Sequence, residues 1–180
     1  MTSLLLRQEL LADSLPAITA DLANILQKNH WLMATAESCT GGMIAAACTD
    51  LAGSSNWFER GFVSYSNEAK TELLDVDAGL ISGHGAVSEE VALAMVRGAL
   101  AHSHAQAAVA VTGVAGPSGG SLEKPVGTVW FAWATPNGTV SEMHRFAGDR
   151  AAARLATVHH ALQRLLTLLA WPPSEDLAKE

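Results

Sequence analysis

Short apolar runs of strand character alternate along this chain with segments of helical spacing, and most of the strand-like runs end in a small polar or glycine-bearing turn. Residues 31–36, WLMATA, pass through a polar turn into GGMIAAACTDL, whose alanines suit close packing of a helix on a sheet. Residues 107–113, AAVAVTG, run into the glycine-rich loop GVAGPSGGSLEKPVG. Strands that alternate with helices bury both faces of a sheet between helical layers, so the pattern predicts an α/β fold: a single three-layer α/β/α domain with a mixed, mostly parallel sheet. One hairpin is expected where TVWFAWAT and GTVSEMHRF flank Pro136, with Asn137 and Gly138 at its turn.

Helices are predicted over LPAITADLANILQKN, with Leu15, Ile18, Leu22, Ile25 and Leu26 on one face and Pro16 in the first turn. Another is predicted over VSEEVALAMVRGALAHS, with Ser88 as N-cap and Glu89 and Glu90 near the positive dipole end. A last helix spans Arg150 to Leu169 and is capped by Asp149. WFERGFVSYS reads as a strand and SNEAKTELLDV as a loop with a short helix. The 180 residues form one domain with its core over residues 15–169, an extension over 1–14 and a frayed tail over 170–180.

Composition narrows the function. The net charge of −7 argues against binding to a nucleic-acid backbone, which needs a basic face, but leaves room for a small anionic ligand. No apolar run reaches the ~18 residues of a membrane span. Arg7, Glu9 and Asp13 interrupt the leading apolar run, unlike a secretory signal. Cys39 and Cys48 form no CxxC pair, and reduced thiols in a cytoplasmic protein are the simpler reading.

Ligands gather at the carboxyl ends of strands in such sheets, here the loops after Ala36, Tyr65 and Val111. The first holds Ser38, Cys39 and Thr40 before a helix expected to begin near Gly41. Free N–H groups at a helix start can hold an anion or an oxyanion, and a serine there can attack a carbonyl if a base takes its proton. The alternative is that Ser38 or Thr40 caps the helix. Cys39 is either a thiolate activated by nearby N–H dipoles or an inert buried thiol, and the inert reading is preferred. In the second loop, YSNEAK, Lys70 is a base if burial lowers its pKa, with Tyr65 to relay a proton; otherwise they are a solvated lysine on a short helix and a sheet tyrosine. The third loop lacks both standard nucleotide fingerprints, GxGxxG and GxxxxGK[ST]. Arg145, Arg150 and Arg154 suit either a phosphate or surface ion pairs.

The seven histidines include the pairs His102/His104 and His159/His160, neither with a neighbouring ligand set, and no metal site is expected. His84 and His144 lie near loops, where they either touch a ligand or play the preferred structural role, and the five tryptophans are expected in core or subunit-contact positions.

AESCTGG, YSNEAK, GAVSEE, TGVAGPSGG and KPVGTVW occur in this order. Together they resemble the carboxy-terminal domain family of the competence/damage-inducible protein CinA, over about Leu15 to Leu169. Single-domain members of that family are nicotinamide-nucleotide amidases. The resemblance implies hydrolysis of the carboxamide of nicotinamide mononucleotide, giving nicotinate mononucleotide and ammonia. It implies Ser38 as nucleophile, Lys70 as base and Tyr65 as an assisting residue, with the N–H groups of Thr40, Gly41 and Gly42 holding the oxyanion. Ser88, the loop from Thr112 through Gly113 and Gly116, and Arg145 or Arg150 would surround the ribose phosphate. No metal or other cofactor is implied. Apolar content and the resemblance point to a homo-oligomer, with a dimer as the commonest closed assembly. The competing readings are a nucleotide-binding domain without catalysis, linked to competence or DNA damage, and an amidase acting on another small amide.

Overall fold

Helix α1 (Leu15–Lys28) leads into β1 (Met33–Glu37), the first strand of the sheet, in a computed structural model that describes residues 14–170. The expected extension and tail therefore lie outside the described residues, apart from Ser14 and Ala170. There follow α2 (Met43–Thr49), a 3₁₀ turn at Ser54–Asn56, β2 (Phe58–Val63), α3 (Asn67–Leu74), α4 (Ala78–His84) and α5 (Glu89–Ala101). Strands β3 (Ala107–Gly113), β4 (Thr128–Thr135) and β5 (Gly138–Arg145) and helix α6 (Arg150–Ala170) follow to the end of the described residues.

The sheet order is β2-β1-β3-β4-β5. β1 pairs in parallel with β2 and β3, whereas β4 is antiparallel to both β3 and β5. Only β4 thus runs against the others, and the sheet is mixed, as expected. The hairpin register pairs Thr135 with Gly138, so Pro136 and Asn137 form the turn, one residue earlier than predicted. Gly138 opens β5 instead, and Pro136 can head the turn because its fixed φ suits that place.

Strand alternation divides the core in two. Met33, Val109, Val111, Phe131 and Trp133 face α1, α2 and α6, and the Trp133 indole N–H donates to the Ala161 carbonyl of α6 at 2.8 Å. The opposite face carries Ala34, Ala36, Ala108, Ala110, Ala132 and Ala134. Small side chains there let α5 lie close to the sheet through Val91, Met95 and Val96. The two faces therefore differ in depth: bulky residues fill one layer, and a backbone close to the sheet fills the other.

Three local features depart from the sequence expectation. Helix α2 begins at Met43 rather than near Gly41, because Gly41 and Gly42 hold φ of 60° and 96° and neither conformation continues a helix. A helix that the sequence reading did not place, α4, follows α3, since Asp75 adopts φ 53° and ends α3, and Asp77 caps α4 by accepting from Leu80 N at 2.8 Å. Glu142, His144 and His160 meet where β5 packs on α6, joined by Arg164. Partial burial pushes the Glu142 carboxyl up, but the Arg164 guanidinium and the imidazoles outweigh it and hold the group below the usual carboxylate value. Among the described residues, no helix is long and apolar enough to cross a membrane.

The site follows from the parallel register. Glu37 lies level with Val63 on one side and Val111 on the other, so the chain leaves β1, β2 and β3 at one edge of the sheet. Ser38 N donates to Val111 O, and Ser64 N to Glu37 O, at 3.1 and 2.9 Å. The first two loops are thus stitched to their neighbours immediately beyond the strands.

Candidate active site

Glu37 is the last residue of β1, and its carboxylate is 1% exposed. Strand alternation sends it toward the α2 face, where Oε2 accepts from Gly42 N at 3.1 Å, Ile44 N at 2.9 Å and Thr40 Oγ1 at 2.7 Å. Oε1 accepts from Ala45 N at 2.8 Å and Thr35 Oγ1 at 3.2 Å. An anion this well supplied satisfies the free N–H groups of the helix start and favours its positive dipole end. Neither Ser38 nor Thr40 acts as the cap, because Glu37 has taken that place.

Ser38 is left with its hydroxyl free for other work. Its Oγ lies 3.1 Å from Lys70 Nζ, and the serine is 8% exposed. Lys70 reaches this point because Ser66 caps α3, accepting from Ala69 N at 3.0 Å, and so fixes the first turn beside the end of β2. The lysine is 1% exposed. Its Nζ donates to the carbonyls of Ser64 at 2.9 Å and Tyr65 at 3.2 Å. No carboxylate pairs with it among the described residues, and burial pushes its pKa below the ordinary lysine value. A neutral amine has two N–H donors and one lone pair. In that form the Ser64 and Tyr65 carbonyls can take both donors, with the Ser66 carbonyl farther off at 3.5 Å, leaving the lone pair for the Ser38 hydroxyl. Such a group can accept a proton from serine.

Burial pushes the Cys39 thiol up to about 11 and Cys48 higher still, so neither is a thiolate near neutrality.

The other expected groups assemble unevenly. Gly41 N donates to Ser38 O, and Gly42 N to Glu37, so two of the three expected oxyanion donors are already engaged. The N–H of Thr40 meets no protein acceptor among the described residues, whereas that of Cys39 beside it meets its own sulfur. Tyr65 is 60% exposed, and its phenol oxygen accepts from Arg150 Nη2 at 3.2 Å; it meets Lys70 through its carbonyl alone. Ser88 is the N-cap of α5: it accepts from Val91 N at 3.4 Å and donates to Gly85 O at 2.9 Å. Thr112 donates to Ala86 O at 2.7 Å. Both hydroxyl protons are therefore committed to backbone and only lone pairs remain for a ligand. At Gly113 a Cβ would stand 2.7 Å from Val129 Cγ2, so strand packing already demands that glycine. Arg150 Nη1 donates to Gly116 O at 2.9 Å, which makes Arg150 a bridge between the second and third loops. Arg145 lies exposed at the end of β5, opposite Thr128, with no contact to this group among the described residues.

Two residues of the site carry no clear signal in the sequence. Glu37 could have been suspected from a carboxylate that closes a buried strand just before a glycine pair. Arg154, which the sequence offered for a phosphate or a surface ion pair, donates instead to Cys39 O at 3.1 Å and Thr40 O at 2.8 Å. It holds the Ser38 loop from the side of α6. Ser64 Oγ is fully buried beside them with no partner among the described residues.

A buried serine–lysine pair at the carboxyl edge of a three-layer α/β domain defines a recognisable class of site. Residues 16–169 match the model of the CinA C-terminal domain, and the chain belongs to that family. It is similar to the nicotinamide-nucleotide amidohydrolase PncC of Pseudomonas putida, 53% identical over 156 residues, covering 87% of this chain and 98% of the relative. The protein of that name from Escherichia coli K12 is 50% identical over 149 residues, covering 82% and 90%. A solved structure of competence/damage inducible protein CihA from Agrobacterium tumefaciens superposes with TM-score 0.84 at 45% identity, covering 87% of this chain and 96% of that one.

Proposed function

We propose that this chain hydrolyses the carboxamide of nicotinamide mononucleotide through an acyl-enzyme on Ser38. The observation that carries the chemistry is the 3.1 Å approach of Lys70 Nζ to Ser38 Oγ, by a lysine that is buried without a counter-ion among the described residues. The names of the relatives supply the substrate. Lys70 accepts the serine proton as Oγ attacks the amide carbon, and the carbonyl oxygen becomes an oxyanion. The N–H group of Thr40 receives it, without the expected Gly41 and Gly42, whose N–H groups are already bound. As the C–N bond breaks, the Lys70 ammonium returns a proton to the nitrogen and ammonia leaves. Water, deprotonated by the same amine, then releases the carboxylate and restores Ser38.

Arg150, at the junction of the second and third loops, is the cation proposed for the ribose phosphate, and Tyr65 serves to hold it. Arg145 has no part in this scheme. The expected homodimer belongs to the same proposal, and light scattering on the purified chain decides it. A reducing, cytoplasmic setting suits its two free cysteines.

The test is ammonia release from nicotinamide mononucleotide in the presence of a chelator, for wild type and Ser38→Ala. Turnover that falls on the order of a thousandfold or more in the variant supports the reading. A folded wild type that binds the mononucleotide without turnover supports the binding-domain alternative instead.

A further inference from the structure

We propose that Glu142, His144 and His160 form a binding site for a divalent first-row transition cation, zinc being the natural occupant. The three residues offer one ligand atom each, all within 4.8 Å of one another. Glu142 and His144 are two apart on β5, so alternation sends both toward α6, which supplies His160.

The spacing of the donors carries the argument. His144 Nε2 lies 3.4 Å, and His160 Nε2 3.2 Å, from the same carboxylate oxygen, Glu142 Oε2. A tetrahedral zinc with bonds of about 2.0–2.1 Å separates its ligands by about 3.3 Å, so these two distances are already edges of such a tetrahedron. The two rings also crowd together, with centroids 4.0 Å apart. Arg164 Nε binds the other oxygen, Oε1, at 2.6 Å. It turns the carboxylate so that Oε2 faces the imidazoles, the part an outer partner plays in metal sites. Phe131 packs edge-on against both rings and limits their rotation. Two imidazoles and one carboxylate suit zinc and its neighbours in the series, and water completes the shell. The site shares no residue with Ser38 or Lys70, so the cation ties edge strand β5 to α6 and takes no part in the proposed hydrolysis.

The experiment titrates Zn²⁺ into chelator-stripped full-length protein against a chromophoric competitor, for wild type, His144→Gln, His160→Gln and His102→Gln. The expected result is one saturable equivalent in wild type and in His102→Gln, with affinity lower by at least about tenfold in the other two. Wild-type protein also tests the site without any variant: zinc should protect His144 and His160 from acylation by diethyl pyrocarbonate, read by peptide mass spectrometry. No saturable binding, binding that survives both substitutions, or zinc that leaves both histidines equally reactive would each overturn the proposal.

Discussion

Replacing Glu37 with glutamine keeps the shape of the side chain and removes its charge. The carboxylate accepts from five donors: Thr35, Thr40 and the N–H groups of Gly42, Ile44 and Ala45. A glutamine must place its NH₂ at one of the two oxygen positions. The less costly choice is Oε1, where the Thr35 hydroxyl can rotate to accept but the Ala45 N–H is left facing a donor. An orphaned buried donor costs about 1–3 kcal/mol. The remaining bonds lose their ionic character, roughly half their strength, and the α2 dipole loses its anion, a further 0.3–1 kcal/mol or so. The sum is about 3–5 kcal/mol, which at this chain length lowers Tm by roughly 10 °C. Desolvation argues the other way, because a buried charge replaced by a neutral group can be stabilising. Five donors converging on one group decide the sign here. The assay is thermal denaturation of wild type and Glu37→Gln, with ammonia release measured on the folded fraction. A Tm within about 2 °C of wild type would refute the assignment of Glu37 as the anchor of the Ser38 loop.

Three further outcomes follow from the geometry. Because burial lowers the Lys70 pKa in the folded chain, the unfolded chain binds more protons up to the ordinary lysine value, and wild-type stability rises with pH across that window. Lys70→Met lacks this dependence, so the stability difference between variant and wild type in urea titrations should move in favour of wild type as pH rises; a constant gap would contradict the depressed pKa. Wild-type turnover should rise over the same range, as the amine loses its proton. Arg154→Ala removes two charge-assisted bonds to the Ser38 loop and should cut kcat about tenfold or more with little change in KM, with Arg154→Lys partly restoring it; a change confined to KM would assign Arg154 to substrate instead. Gly98→Ala improves helix propensity by about 1 kcal/mol, yet its Cβ would lie 2.0 Å from the Leu74 carbonyl oxygen. The clash should dominate and destabilise by about 2 kcal/mol, so a raised Tm would show that α3 and α5 can part without penalty.

Much of the frame is written locally in the chain. The alternation of helical and strand periods is set by short-range sterics and burial, which is why the α/β class, the caps at Ser88 and Asp149 and the loops bearing Ser38 and Lys70 can be read before folding. Even the nearness of the two loops follows from a general rule, that strand ends in such sheets carry the site. The partners of each polar group cannot be read that way. Whether Ser38 caps a helix depends on whether a better acceptor is present, and that acceptor, Glu37, becomes visible only when the strand turns its carboxylate under α2. Tyr65 looks like a companion of Lys70 because it is close in sequence; in the structure its phenol goes to Arg150, 85 positions away. His144 and His160 read as unrelated residues until β5 and α6 bring both rings to one oxygen of Glu142. Hydrogen bonds and ligand contacts act over about 3 Å, whereas sequence pattern reports periodicity along one element. The sequence by itself determined which elements form and which loops carry chemistry; the packing of those elements decided which atoms meet.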